Sequence, residues 1–283
     1  LAWATGSIVA GSLVFVVTWP DAALDLNDDW RGVMTGRNSL APICGLALFG
    51  GIAWWMRGTR RFGGLLVLAS IAGLWGSGSR TAAFATVIAL GVSVVLVAGR
   101  RRALARPGRA SVALGVGAMG AGGLAAGACL ATFWNEPTFG QRRTIWRLVG
   151  DYIDDEPLVG QGWEAFWYTP ELHTDTLLQR GSAHGSIPEL LLGLGVVGLV
   201  LWSVVVAVAA AGVVMRAWRR PDTESWLWVA VVAFLLVENL TESFVLWFSY
   251  NWVLLTAAAL RFGSEVRRRP VERPDHSTEA ATV

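Results

Sequence analysis

The run "IPELLLGLGVVGLVLWSVVVAVAAAGVV" (187–214) decides the fold class. Its one ionisable side chain, Glu189, stands at the start, and the rest is apolar on every helical face. At 1.5 Å per residue such a helix is about 42 Å long, more than the ~30 Å hydrocarbon core of a bilayer. Seven further apolar runs lie at 1–19, 39–56, 62–79, 81–98, 111–132, 225–241 and 244–261, separated by charged clusters. The chain of 283 residues is 54% hydrophobic and 16% charged, with sixteen tryptophans and a mean hydropathy of +0.49. Soluble domains carry nearer ~25% charged residues. The sequence therefore predicts an all-α, polytopic transmembrane helix bundle of about eight spans.

The net charge of +2 says little, but its distribution sets the orientation. All 23 basic residues are arginine, and sixteen of them follow the second, fourth, sixth and eighth spans. Under the positive-inside rule that end is cytoplasmic. The other end holds the loop 20–38, a tight turn at 77–80, the long segment 133–186 and a turn near 238–243. Four parts follow: spans one to five over 1–132, an extracytoplasmic segment over 133–186, spans six to eight over 187–263, and a disordered cytoplasmic tail over 264–283. Trp19, Trp54, Trp55, Trp134, Trp202 and Trp218 flank spans as interfacial belts do. Cys44 and Cys129 lie far apart in apolar runs and form no CxxC motif or disulfide framework. No cleavable signal pattern follows Leu1.

A connection longer than ~12–15 residues is usually functional or disordered. The segment 133–186 carries Trp134, Trp146, Trp163 and Trp167, so it reads as ordered. Within it, "GQRRTIWRLVGDYID" (140–154) reads as an amphipathic helix. Ile145, Leu148, Val149, Tyr152 and Ile153 repeat at the spacing of one buried face, with Arg143, Arg147 and Asp151 opposite. Arg142 shares the side of Trp146, Val149 and Ile153 and points toward the bundle. A cation there needs an anion. Two readings stand: a substrate phosphate, or a structural arginine that snorkels or pairs with a carboxylate. "PLVGQGW" (157–163) reads as a turn between ordered parts.

Arg80 in "GSGSRTA" and Arg37 in "TGRNSLA" lie on the same end as Arg142. Guanidinium forks match phosphate oxygens and stay charged at any working pH. Together the three arginines mark a site for the phosphates of a lipid carrier; singly, each reads equally as an interfacial anchor. His184, one of three histidines, stands just before the helix at 187. Either it is an interface residue, or it is a base: a helix N-terminus favours neutral imidazole, which accepts a proton from a hydroxyl. Ser186 and Glu189, with Pro188 between them, fit a capping box, which makes Glu189 structural. Glu238 and Glu242 are four residues apart where the last two spans meet. Residues 225–237 make only about 20 Å of helix, which sets both carboxylates below the outer surface, lining a cavity. Asp28, Asp29, Asp154, Asp155 and Glu156 read as solvated surface. No D-x-D pair, zinc motif, phosphate loop or nucleophile elbow is present, so neither metal nor cofactor is expected.

Five stretches carry a resemblance: "RGVMTGRNSLA" (31–41), "GSRTAAFA" (78–85), "RRTIWRLVGDYIDDEPLVGQGWEAF" (142–166), "AHGSIPELLLGLGVVG" (183–198) and "ENLTESF" (238–244). In this order they resemble the O-antigen ligase/polymerase family of membrane glycosyltransferases, over about 31–261. The resemblance implies a GT-C-like, inverting, metal-independent enzyme. Such an enzyme moves a glycan from a polyprenyl-diphosphate carrier to a glycan or lipid acceptor outside the cytoplasmic membrane. Family ligases carry His, then Asn, Ser or Gln, nine residues, and Gly-x-x-Gly. Here His184 is followed by Gly185, and Gly195 and Gly198 close the motif, so only Gly185 departs. Arg80 and Arg142 match the family's outer arginines best, with Arg143 taking the second role if the helix phase differs. Family members have more than eight spans, so further spans are expected ahead of Leu1.

The site expected is thus His184, Arg142 and Arg80 as catalytic groups, with Arg37, Arg143, Glu238 and Glu242 binding substrate. The partners are a polyprenyl-diphosphate-linked glycan, its acceptor and membrane lipids, and no nucleic acid. The rival readings are a transporter or flippase for a lipid-linked glycan, which broken helices would favour, and a membrane sensor or scaffold.

Overall fold

The computed structural model describes residues 1–25, 27–105, 137–169, 181–240, 242–243 and 249–267. The expected fifth span, 111–132, and the tail beyond 267 lie outside them. In chain order the helices are α1 (Ala2–Thr18), a single turn α2 (Pro20–Ala23), α3 (Arg37–Met56), α4 (Arg60–Gly76) and α5 (Arg80–Ala105). Then come α6 (Pro137–Asp155), α7 (Ser186–Arg219), α8 (Thr223–Asn239) and α9 (Tyr250–Arg267). No strand forms among the described residues; Leu24 and Trp30 share one isolated bridge. The all-α class holds.

Three described helices are long and apolar enough to cross a membrane: α3, α5 over Arg80–Arg101, and α7. The apolar helix α1 has 17 residues, as does α4, about 26 Å at 1.5 Å per residue. The sixth run begins where expected but continues to Arg219. The eighth run was expected from 244, whereas α9 starts at Tyr250 and continues past 264 to Arg267.

Burial explains the arrangement. α3 lies at the centre, with Leu40, Cys44, Leu46, Ala47 and Phe49 fully buried. It packs along α4, α5 along α8, and α7 along α9. Phe49 meets Phe234 edge-on at 5.8 Å, joining α3 to α8 in the main core. A Cβ on Gly212 would lie 2.5 Å from the Phe262 carbonyl oxygen, so α7 and α9 cross backbone to backbone there. Outward faces remain apolar, through Leu65, Trp75, Val87, Leu201, Val253 and Leu260. A water-facing bundle rarely shows such a surface, whereas lipid tails match it.

The helix 140–154 is found as α6. Ile145 and Val149 are buried against Phe166 and Leu192, while Arg143, Arg147 and Asp151 are exposed. Tyr152, expected on the buried face, is exposed, with its ring edge-on to Phe166 at 4.8 Å.

At the arginine-rich end, Asp222 caps α8 by accepting from the Ser225 N–H at 2.8 Å, and Arg216 lies 2.9 Å from the same carboxylate. Burial opposes ionisation of Asp222, but its bonds from Ser225 and Arg216 outweigh it and hold the carboxyl below the usual aspartate range.

Candidate active site

His184 occupies the turn before α7, with backbone φ of +49°, a left-handed value unusual for a side-chain-bearing residue. Its neighbours hold it there. The Ala183 N–H donates to Glu189 Oε2 at 2.7 Å, and the Ala183 carbonyl accepts from Trp146 Nε1 at 2.7 Å. The Gly185 N–H donates to Ser243 Oγ at 2.8 Å. Ser186 Oγ sits 2.5 Å from Asn239 Oδ1 and 3.0 Å from the Glu242 carbonyl. A turn fixed on three sides presents one imidazole, and among the described residues neither ring nitrogen has a hydrogen-bond partner. Buried polar atoms are normally satisfied, and exceptions concentrate where a ligand is handled.

The expected capping box does not form. Gly185 is the N-cap of α7, and no side chain caps it. Ser186 lies one residue inside and turns toward α8 instead. Glu189 reaches past the cap to the Ala183 N–H and accepts Trp167 Nε1 at 2.5 Å. It is structural, as expected, but what it secures is the histidine turn.

Glu242 joins two of the expected groups. Its Oε1 accepts from Arg142 Nη2 at 2.9 Å, and its Oε2 lies 4.0 Å from His184 Nδ1. Arg142 therefore points into the bundle, as its helical phase requires, while Arg143 is exposed on another face of α6. Glu238 is buried one turn earlier, where its Oε1 accepts from Tyr250 Oη at 2.7 Å. Glu242 and Tyr250 line the cavity beside His184, but Glu238 does not. The expectation that both glutamates line it holds for Glu242 alone.

That cavity, about 680 Å³, is also lined by Asn38 and Ser39 from the first turn of α3 and by Trp167 and Tyr168 from the 3-10 turn Ala165–Tyr168. None of Arg37, Arg80, Arg142 and Arg143 lines it. Arg37 is ion-paired with Asp29, and its Nε lies 3.9 Å from Asp25 Oδ2. Arg80 is exposed at the start of α5. The structure thus brings together His184, Arg142 and Glu242. It adds Trp167, Tyr168, Asn38, Ser39 and Tyr250, which no spacing in the sequence singles out.

The turn 157–163 is tied into the same assembly. α7 breaks at Gly195, with φ 62° and ψ −163°, a region open in practice to glycine alone. The Val196 and Val197 N–H groups donate to the carbonyls of Pro157 and Leu158 at 2.9 and 3.1 Å. In return Leu192 and Gly193 accept from the Gln161 and Gly162 N–H groups at 2.8 and 3.0 Å. The turn takes over the hydrogen bonds that the helix would have made with itself. A Cβ on Gly195 would lie 2.3 Å from the Leu158 carbonyl carbon, and one on Gly160 would lie 2.6 Å from that of Gly193.

Residues 65–203 match the family described as O-Antigen ligase. The chain is O-antigen ligase-like. The matched region of this O-antigen ligase-like chain contains the stretches 78–85, 142–166 and 183–198, and stops short of 238–244. No curated protein matches it. The family is one of glycan-transferring membrane enzymes, in keeping with the apolar helices described above. The first glycine of Gly195-x-x-Gly198, which lies inside the matched range, is the position of the helix break.

Proposed function

We propose that the chain is an inverting, metal-independent glycosyltransferase of GT-C-like architecture, with about eight spans in the cytoplasmic membrane. Its reaction takes place at the end of the bundle that carries His184, facing away from the cytoplasm. The arginine asymmetry between the two ends supports that orientation. The donor is a polyprenyl-diphosphate-linked glycan, and the acceptor is a hydroxyl of a second glycan or lipid.

The observation that carries this reading is the Glu242 carboxylate, with Arg142 on one oxygen at 2.9 Å and His184 Nδ1 at 4.0 Å from the other. A cation and an imidazole with no hydrogen-bond partner among the described residues thus flank one shielded carboxylate. His184 draws the proton from the acceptor hydroxyl, whose oxygen attacks the anomeric carbon from the face opposite the leaving group. The carbon–oxygen bond to the diphosphate breaks, and its electron pair leaves with the phosphate. Charge grows on that diphosphate in the transition state, where Arg142 stabilises it, with Arg80 and Arg37 assisting along the bound carrier. Glu242 holds Arg142 in place and faces the imidazolium once the proton has moved.

A broken helix is the feature that would favour transport. In α7 the backbone groups freed at the break are taken up by the turn 157–163, so the break is a filled joint and not a ligand cradle. The test is the purified chain supplied with a polyprenyl-diphosphate glycan and an acceptor glycan. Formation of a new glycosidic bond, lost in His184→Ala, is expected. Movement of the lipid across a vesicle without bond formation overturns the reading in favour of a flippase.

A further inference from the structure

The cavity beside His184 has the wrong chemistry for a diphosphate. Among the described residues its lining holds no arginine, and its two carboxylates are Glu164 and Glu242. A doubly charged phosphate group placed there would face repulsion at short range. The rest of the lining is hydroxyl, amide and aromatic. Thr35, Asn38 and Ser39 come from the start of α3 and the turn before it, and supply both donors and acceptors. Trp167 is fixed by its bond to Glu189 at 2.5 Å and by the edge of Phe166 at 5.0 Å. Tyr168 beside it is 77% exposed, so burial in the core does not account for this ring.

We propose that this cavity is the acceptor pocket and takes an uncharged carbohydrate. The sugar lies against Trp167 and Tyr168, hydrogen-bonded by Thr35, Asn38 and Ser39, and the donor diphosphate lies across Glu242 on the Arg142 side. The proposal rests on the transfer reading above and assigns its two substrates to two places. A pyranose ring offers partly positive C–H groups to the negative face of an aromatic ring. Its hydroxyls both donate and accept, as the α3 wall requires. At about 680 Å³ the cavity falls within the ~300–1,000 Å³ of small-molecule sites. Glu242 divides the two: Oε1 faces Arg142 and the leaving diphosphate, while Oε2 faces the imidazole that must reach the acceptor hydroxyl.

The test uses the full chain in lipid nanodiscs, with binding read by native mass spectrometry. The probes are geranylgeranyl diphosphate, a panel of neutral di- to tetrasaccharides, and phosphorylated forms of the same sugars. Neutral sugars should bind better than their phosphorylated forms. Tyr168→Ala should weaken neutral-sugar binding by about tenfold and leave the diphosphate unaffected. Tyr168→Phe should retain sugar binding, and Arg142→Ala should weaken the diphosphate alone. Three results would overturn the proposal: loss of the diphosphate in Tyr168→Ala or Asn38→Ala, tighter binding of the phosphorylated sugars, or no binding by any neutral sugar. Bond formation with that pattern reversed leaves the transfer reading standing and moves the acceptor elsewhere. Sugar binding without bond formation does the opposite.

Discussion

At the arginine-rich end of the bundle, Glu224 meets Arg261 at 2.6 Å, with the two side chains 28% and 58% exposed. At the His184 end, Glu242 meets Arg142 at 2.9 Å, with the side chains only 10% and 17% exposed. The chemical pair is the same and its surroundings are not. In the open, water screens the charges and such a pair is worth ~0–1 kcal/mol. Away from water, losing one partner strands a charge and costs ~3–5 kcal/mol. The first pair, with Arg219–Glu265 and Arg216–Asp222, ties the ends of α7, α8 and α9 together. The second pair leaves an oxygen turned to an imidazole whose nitrogens have no hydrogen-bond partner among the described residues. A carboxylate that closes a helix end and one proposed to poise a reaction differ in their burial and in what stands on the second oxygen.

His184→Ala is the sharpest way to break this contrast. Transfer should fall by ~10²–10⁴-fold, the usual range for a lost general base. The melting temperature should stay near wild type, because the turn is held by the bonds of its neighbours. Activity close to wild type would reduce the imidazole to an interface residue. Glu242→Ala comes next, with a stability loss of up to ~3–5 kcal/mol by denaturant or thermal unfolding, as Arg142 loses the shielded carboxylate to which it donates. The same truncation at Glu224 should cost at most ~1 kcal/mol. Equal costs at the two sites would erase the distinction.

Gly195→Ala tests the joint behind the site. Strain at this backbone conformation costs ~1–3 kcal/mol, and the added methyl collides with Leu158. A lowered melting temperature with reduced transfer is expected; an unchanged protein would show that the turn 157–163 does not hold α7. Arg142→Lys removes the guanidinium fork and should cost transfer about tenfold, whereas Arg143→Lys should match wild type. The reverse result would mean that the working face of α6 has been misassigned.

The smallest effect lies at Asp222. Its carboxyl sits below the unfolded value of ~3.9. The stability it contributes is therefore complete above that pH and is lost as pH falls through the lower native value. Wild type and Asp222→Asn should differ modestly at neutral pH and converge on acidification. A gap that widens in acid would contradict the capping role.

Much of this was legible in the chain. The α6 face was readable because 3.6-residue periodicity separates Ile145 and Val149 from Arg143, Arg147 and Asp151. That same period aimed Arg142 inward. His184 was visible as a rare residue at a helix start. Glu189 was misread as half of a capping box: its sequence offset fits, but two stronger donors, Ala183 and Trp167, compete for the carboxylate. Tyr168 gave no signal, and Asn38 and Ser39 none beyond lying in a stretch that carries the resemblance, because polar and aromatic residues at element ends look the same whether they face water, lipid or a cavity.

The chain's own residues settle whatever depends on local repetition. Long apolar runs require helices, since no other isolated segment satisfies its backbone in lipid. Clustered arginines distinguish the two ends, and one face of α6 must be buried. Tertiary structure alone decided that Glu242, 58 residues beyond His184 and 100 beyond Arg142, stands between them. It also decided that the turn 157–163 completes the broken helix α7. Contacts between distant segments depend on how helices cross and which backbone groups remain unpaired, and no local period encodes either.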